Sequence, residues 1–122
     1  MSTTGHLRIG IAGYGVVGNR RRVPIDAHPS MRTVAVCDQK FGQDFTMEDG
    51  VRAYAAYERL LEEPLDAVFV SLPNSLAPEV TMAALERGLH VFCEKPPGRT
   101  LEDIERVVEV ERAHPQIGRA HV

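Results

Sequence analysis

Hydrophobic residues in this chain gather into short unbroken runs, and longer stretches of striped polarity separate them. Leu7–Ala12 (LRIGIA), Thr33–Asp38 (TVAVCD), Ala67–Leu72 (AVFVSL) and His90–Cys93 (HVFC) are the runs. Apolar throughout and bounded by turn residues, they predict strands buried on both faces of a sheet. Val16–His28 has a helical tendency, with Pro24 inside it predicting a kink or a break. Phe41–Gly50 is polar and rich in Gly and Asp, so it reads as a loop, before a short strand at Val51–Tyr54 and a short helix at Tyr57–Glu62. A further helix lies between Pro78 and Gly88, with Val80, Ala83, Ala84 and Leu85 as its apolar stripe. Thr100-Leu101-Glu102-Asp103 opens a last helix with a capping box, and Leu101, Ile104, Val107 and Val108 form its buried face.

Buried strands that alternate with amphipathic helices imply an α/β fold, a mostly parallel sheet covered on both sides. Right-handed crossovers make it doubly wound, of the Rossmann type. A length of 122 residues allows one such domain and one core. The composition, 43% hydrophobic and 25% charged, is that of a soluble globular protein. A net charge of −3 gives no general attraction to nucleic acid or to anionic membranes. Cys37 and Cys93 lie far apart in apolar runs and read as buried thiols of a reducing compartment. Leu7–Gly18 is not a signal peptide, because its basic residues follow the apolar run and glycines interrupt it; the expected location is cytoplasmic.

The chemistry begins at Gly13-Tyr14-Gly15-Val16-Val17-Gly18, a GxGxxG pattern between the first strand and the first helix. Glycines there permit a tight turn and close approach of a pyrophosphate, and the helix start offers unpaired N–H groups to its phosphates. Asp38, with Gln39 beside it, closes the second strand 20 residues after Gly18. A carboxylate there accepts hydrogen bonds from the adenosine ribose. The bland alternative is a glycine turn that only packs helix on strand, with Asp38 as an end cap. Asp38 favours NAD, and Lys40 close by leaves NADP possible. Arg20-Arg21-Arg22 lacks aromatic interleaving and reads as a solvated helix face, with room for one arginine near the pyrophosphate.

Ligands of open parallel sheets bind beyond the carboxyl ends of the strands, which singles out Ser71-Leu72-Pro73-Asn74 and Glu94-Lys95-Pro96. Taken alone, Glu94-Lys95 is an ordinary surface ion pair at a strand end. Together with the glycine loop, Ala35-Val36-Cys37-Asp38 and His90-Val91-Phe92-Cys93, these segments resemble the N-terminal domain of the glucose–fructose oxidoreductase, inositol dehydrogenase and rhizopine catabolism (Gfo/Idh/MocA) family. The likeness runs from residue 7 to about residue 115. It implies that Lys95 lies beside the nicotinamide and polarises the reacting hydroxyl or carbonyl, while Glu94 positions that lysine or the nicotinamide ribose. A partly buried ammonium beside an oxidised nicotinamide has its pKa lowered toward a range useful for proton transfer. Ser71, Leu72, Pro73 and Asn74 would lie along the middle of the cofactor, and the bond before Pro96 is a candidate for the cis isomer. Ala77 departs from the histidine common at its position, which removes one polar cofactor contact.

The resemblance further implies a second α/β domain carrying the substrate pocket, absent from this chain, and self-association through that domain in the full-length parent. Substrate would be a sugar, cyclitol or related polyol, and the competing reading is a non-catalytic dinucleotide sensor. The domain is expected over residues 1–116. Ile117–Val122 (IGRAHV) can be drawn as the family's sixth strand, but its back-translation also matches the opening of a common short-read sequencing adapter whose next in-frame codon is a stop. The expectation is therefore that these six residues are adapter read-through from a gene cut near Pro115–Gln116.

Overall fold

The computed structural model describes residues 6–72 and 75–93. Strand β1 (Leu7–Ala12) leads into helix α1 (Val16–Ala27) and strand β2 (Met31–Cys37). Two short strands follow, β3 (Phe45–Thr46) and β4 (Arg52–Tyr54), then helix α2 (Tyr57–Leu60). Strand β5 (Ala67–Val70), helix α3 (Ala77–Glu86) and strand β6 (His90–Cys93) complete the described elements. The sheet order is β3-β4-β2-β1-β5-β6, parallel except for β3 against β4. From β1 the chain works outward to one side and then returns to build the other. That places a topological switch point between β1 and β5, where ligands of such sheets bind.

Both faces of the sheet are covered, as strands apolar on both sides require. Leu7, Ile9 and Ile11 of β1 pack with Phe69, Phe92 and Ile25 of α1 in one buried cluster. Ala12, Val68, Val70 and Val91 face the opposite cluster, with Leu60 of α2 and Val80 and Ala84 of α3. Residues of one strand thus alternate between two cores, one under α1 and one under α2 and α3.

Three expectations need correction. The second strand starts at Met31, two residues early, because Met31 pairs with Leu7 and is buried beside it. The polar stretch Phe41–Gly50 is not all loop: Phe45 and Thr46 pair with Ala53 and Arg52 as an antiparallel edge. Helix α1 does not break at Pro24 but continues to Ala27. Pro24 and Arg20 are both solvent-exposed, so water can serve the Arg20 carbonyl that the proline leaves without its helical donor. The capping-box helix and residues 117–122 lie outside the described residues.

Candidate functional site

The glycine loop crosses the carboxyl edge of the sheet at the switch point. Gly13 continues the β1 ladder by donating its N–H to the Cys37 carbonyl at 2.8 Å, then turns at φ +97°, in the region that favours glycine. A Cβ at Gly13 would also come within 2.5 Å of the Ser71 carbonyl oxygen. Ser71 in turn donates its N–H to Ala12 at 2.8 Å, so the loop and the end of β5 are in mutual contact. At Gly18 a Cβ would overlap the Gly13 carbonyl oxygen, so this glycine lets α1 fold back onto the loop. Gly15 differs from both. A Cβ there would meet nothing within 4 Å.

Gly15 is the N-cap of α1, no side chain caps it, and the first turn contains no acidic residue. Gly15, Val16 and Val17 are exposed. The helix therefore presents free N–H groups and its partial positive charge to open space, which is what a pyrophosphate requires.

Asp38 follows β2 directly, with its N–H donating to Tyr54 at 3.1 Å. Its carboxylate accepts from the N–H of Tyr14 at 2.7 Å and from the N–H of Lys40 at 2.9 Å, one on each oxygen. Each oxygen keeps lone-pair capacity for a ribose hydroxyl. The expected acid thus stands beside the expected loop. The Lys40 ammonium donates to the Tyr14 carbonyl at 2.7 Å, on the same residue whose N–H the Asp38 carboxylate holds.

Ser71 and Leu72 lie at the carboxyl end of β5, half-buried, in the position expected of them. Pro73, Asn74, Glu94, Lys95 and Pro96 lie outside the described residues. Cys93, the last described residue before Glu94, is a half-buried free thiol. Cys37 is buried, and that burial pushes its thiol up to about 12. It is an inert thiol at neutral pH.

The arginines of α1 do not form a solvated face. Arg21 places its guanidinium 5.8 Å from the centroid of the Phe69 ring. Arg22 donates to the Tyr14 phenol oxygen at 3.0 Å and to Asp26 at 3.0 Å, and pairs with Asp49. Only Arg20 of the three is exposed. Sequence reasoning also missed the aromatic cluster behind the loop, where Tyr14 and Phe41 lie 6.4 Å apart and Phe41 and Phe45 lie 5.3 Å apart. A separate cleft of about 960 Å³ opens at the amino ends of the strands, among Arg8, Arg32 and Arg52. Its lining also takes in Arg22, Asp26 and Asp49, the group that reaches the Tyr14 phenol. Among the described residues no helix is long and apolar enough to cross a membrane.

Comparison with known proteins agrees with this geometry. The model of the Gfo/Idh/MocA oxidoreductase family, NAD-binding Rossmann fold, matches residues 7–120. The chain is 40% identical over 90 residues to D-xylose 1-dehydrogenase (NADP(+)) 2 of Haloferax volcanii, covering 72% of this chain and 27% of that protein. The D-galactose-1-dehydrogenase structure from Rhizobium etli superposes with a TM-score of 0.63 at 29% identity, covering 90% of this chain and 35% of that one. A 3-ketoreductase from Actinomadura kijaniata, solved with TDP-benzene and NADP, gives a TM-score of 0.61 at 29% identity, covering 89% and 36%. The chain spans only about a quarter to a third of the length of these relatives. With its uncapped glycine loop, its strand-end acid and a family match over most of its length, the chain belongs to the Gfo/Idh/MocA oxidoreductases through their NAD-binding Rossmann domain.

Proposed function

We propose that the whole protein is an NAD(P)-dependent oxidoreductase, moving hydride between C4 of the nicotinamide and a carbon bearing a hydroxyl or carbonyl on a sugar, cyclitol or related polyol. The observation that carries this reading is the open, uncapped start of α1 at Gly15, facing away from any packed side chain and flanked by Asp38. Its neighbours in sequence and structure act on sugars or are named with NADP, which supports the substrate class and the dinucleotide.

In this reading the amides of Gly15, Val16, Val17 and Gly18 take the pyrophosphate, and Gly13 and Tyr14 shape the turn. Asp38 and Gln39 take the adenosine ribose. Ser71, Leu72, Pro73 and Asn74 run along the cofactor toward the nicotinamide, which supplies the hydride acceptor or donor. Lys95 moves the proton of the substrate hydroxyl, Glu94 orients it, and Pro96 fixes the turn. Substrate is enclosed by a domain beyond this chain, and self-association belongs to that domain. The protein works in the cytoplasm.

Calorimetric titration of NAD+ and NADP+ into the chain tests the binding half of the reading, and the expected outcome is saturable binding of at least one. In the full-length parent, Lys95→Ala should abolish turnover while leaving dinucleotide affinity within a few-fold. A parent whose dinucleotide-dependent response survives that change is a sensor instead.

A further inference from the structure

The middle residue of the glycine loop is gripped from several sides. Tyr14 is 7% exposed and its ring packs against Phe41. Its N–H is held by Asp38 and its carbonyl by Lys40. Its phenol oxygen accepts a hydrogen bond from Arg22 Nη1 at 3.0 Å. That guanidinium is itself fixed. Its Nε donates to Asp26 Oδ2 at 3.0 Å, one turn on in α1, and Nη2 pairs with Asp49 in the turn between β3 and β4. Asp49 is anchored in its own turn, accepting from the Val51 N–H at 3.1 Å.

Packing alone does not account for this arrangement. A phenylalanine at position 14 would fill the same space beside Phe41, and α1 is already seated by Gly18 and Ile25, its buried residues. What the phenol adds is direction. It ties the ring, and with it the peptide groups on either side of Tyr14, to a fork held by two carboxylates. Those peptide groups lead straight into Gly15 and the first turn of α1. An arginine suits such a post, because its planar fork makes several bonds at once and loses little freedom with each.

We propose that Arg22 is a positioning residue for dinucleotide binding, acting through the Tyr14 phenol to hold the glycine loop in the shape that receives a pyrophosphate. The inference rests on the reading of the loop as an NAD(P) site. It makes Arg22 and Asp49 parts of the cofactor site without either touching the cofactor. Tyr14→Phe keeps the ring and removes only the link, and Arg22→Met keeps most of the side-chain bulk.

The test is calorimetry on the chain with NAD+ and with ADP, which carries the pyrophosphate but no nicotinamide, alongside adenosine binding by ligand-observed NMR. Tyr14→Phe and Arg22→Met should each weaken NAD+ and ADP roughly tenfold, the scale of one lost charge-assisted hydrogen bond. Adenosine should bind both variants as it binds the wild type. The double variant should be no weaker than either single one, since both remove the same link. Arg22→Lys should recover only part of the loss. Wild-type ADP affinity in Tyr14→Phe, or additive losses in the double variant, overturns the inference and leaves the dinucleotide site standing. If the wild-type chain binds neither NAD+ nor ADP, the site reading itself falls and this inference falls with it.

Discussion

Gly15 and Gly18 sit three residues apart, yet their surroundings predict opposite consequences for the same change. Alanine at Gly18 would drive its Cβ into the Gly13 carbonyl, a backbone atom that cannot step aside. Gly18→Ala should cost about 3 kcal/mol of stability, the upper part of the overpacking range, and lose NAD+ binding with it. Gly15 has φ −83° and open space around it, so alanine fits without strain. Gly15→Ala should melt within a few degrees of the wild type and still lose roughly tenfold or more in NAD+ affinity, because its methyl occupies the phosphate's approach. Thermal melts and titrations of the two variants read this contrast directly. Lys40, whose ammonium bonds the Tyr14 carbonyl while Asp38 holds the Tyr14 N–H, sets a second expectation. A 2′-phosphate meets the acid's charge and needs that cation, so Lys40→Ala should weaken NADP+ several-fold more than NAD+. Cys37 gives a pH dependence. Its folded thiol is raised to about 12 from 9.0, so both states hold the proton below pH 9 and only the unfolded state loses it above. Stability from this group is complete below pH 9 and is lost as pH rises toward 12. Urea midpoints should therefore show the Cys37→Ala penalty at pH 8 shrinking by pH 10.5.

At the scale of elements, what was legible in the sequence follows from what is local. β1 and β6 fall where the apolar runs predicted, since a strand buried on both faces carries its whole signal in its own residues. β3 has only two residues, too few for any period, and exists because Phe45 and Thr46 find Ala53 and Arg52 across a turn. The glycine loop and Asp38 were legible for the same local reason, as spacing fixes them. Lys40 on Tyr14 joins residues 26 apart, and Arg22 to Asp49 joins residues 27 apart, so no window of sequence contains either link. Arg20–Arg22 looked uniformly solvated because three like charges in a row carry no mark of which one turns inward. Of the kink or break expected at Pro24, the break does not occur. The proline's helical penalty is real, but Pro24 and Arg20 are both exposed residues, and the buried Ile25 holds the helix beyond it. Pro24→Ala should therefore stabilise the chain, by about 2 kcal/mol: roughly 3 from the helix interior, less roughly 1 for the freer unfolded state. A denaturation midpoint at or below the wild type's would show that the proline serves a purpose in α1 that its exposed position does not reveal.

Across the whole molecule, binding and turnover separate cleanly. The dinucleotide geometry is assembled from β1, α1, β2 and β5, all within a single sheet with a core on each face. Among the described residues, the hydrogen bonds that hold the loop join Gly13 to Cys37 and link Tyr14, Arg22, Asp38, Lys40 and Asp49. Affinity for NAD+ should therefore be a property of the chain as it stands. Hydride transfer asks for more: substrate held at near-attack distance over the nicotinamide, with water excluded. The relatives devote the remaining two thirds or so of their length to residues with no counterpart here. Orientation of reactants accounts for several powers of ten in rate, so a dinucleotide held without an enclosing substrate wall falls below detection. The chain should thus titrate with NAD+ or NADP+ to saturation and yet produce no reduced-nicotinamide absorbance from any sugar or cyclitol. Adding the missing portion of the parent, in cis or in trans, should restore turnover, and only with Lys95 intact. Turnover by the chain alone would mean that its own surface holds substrate, and would move the substrate site onto the Rossmann domain.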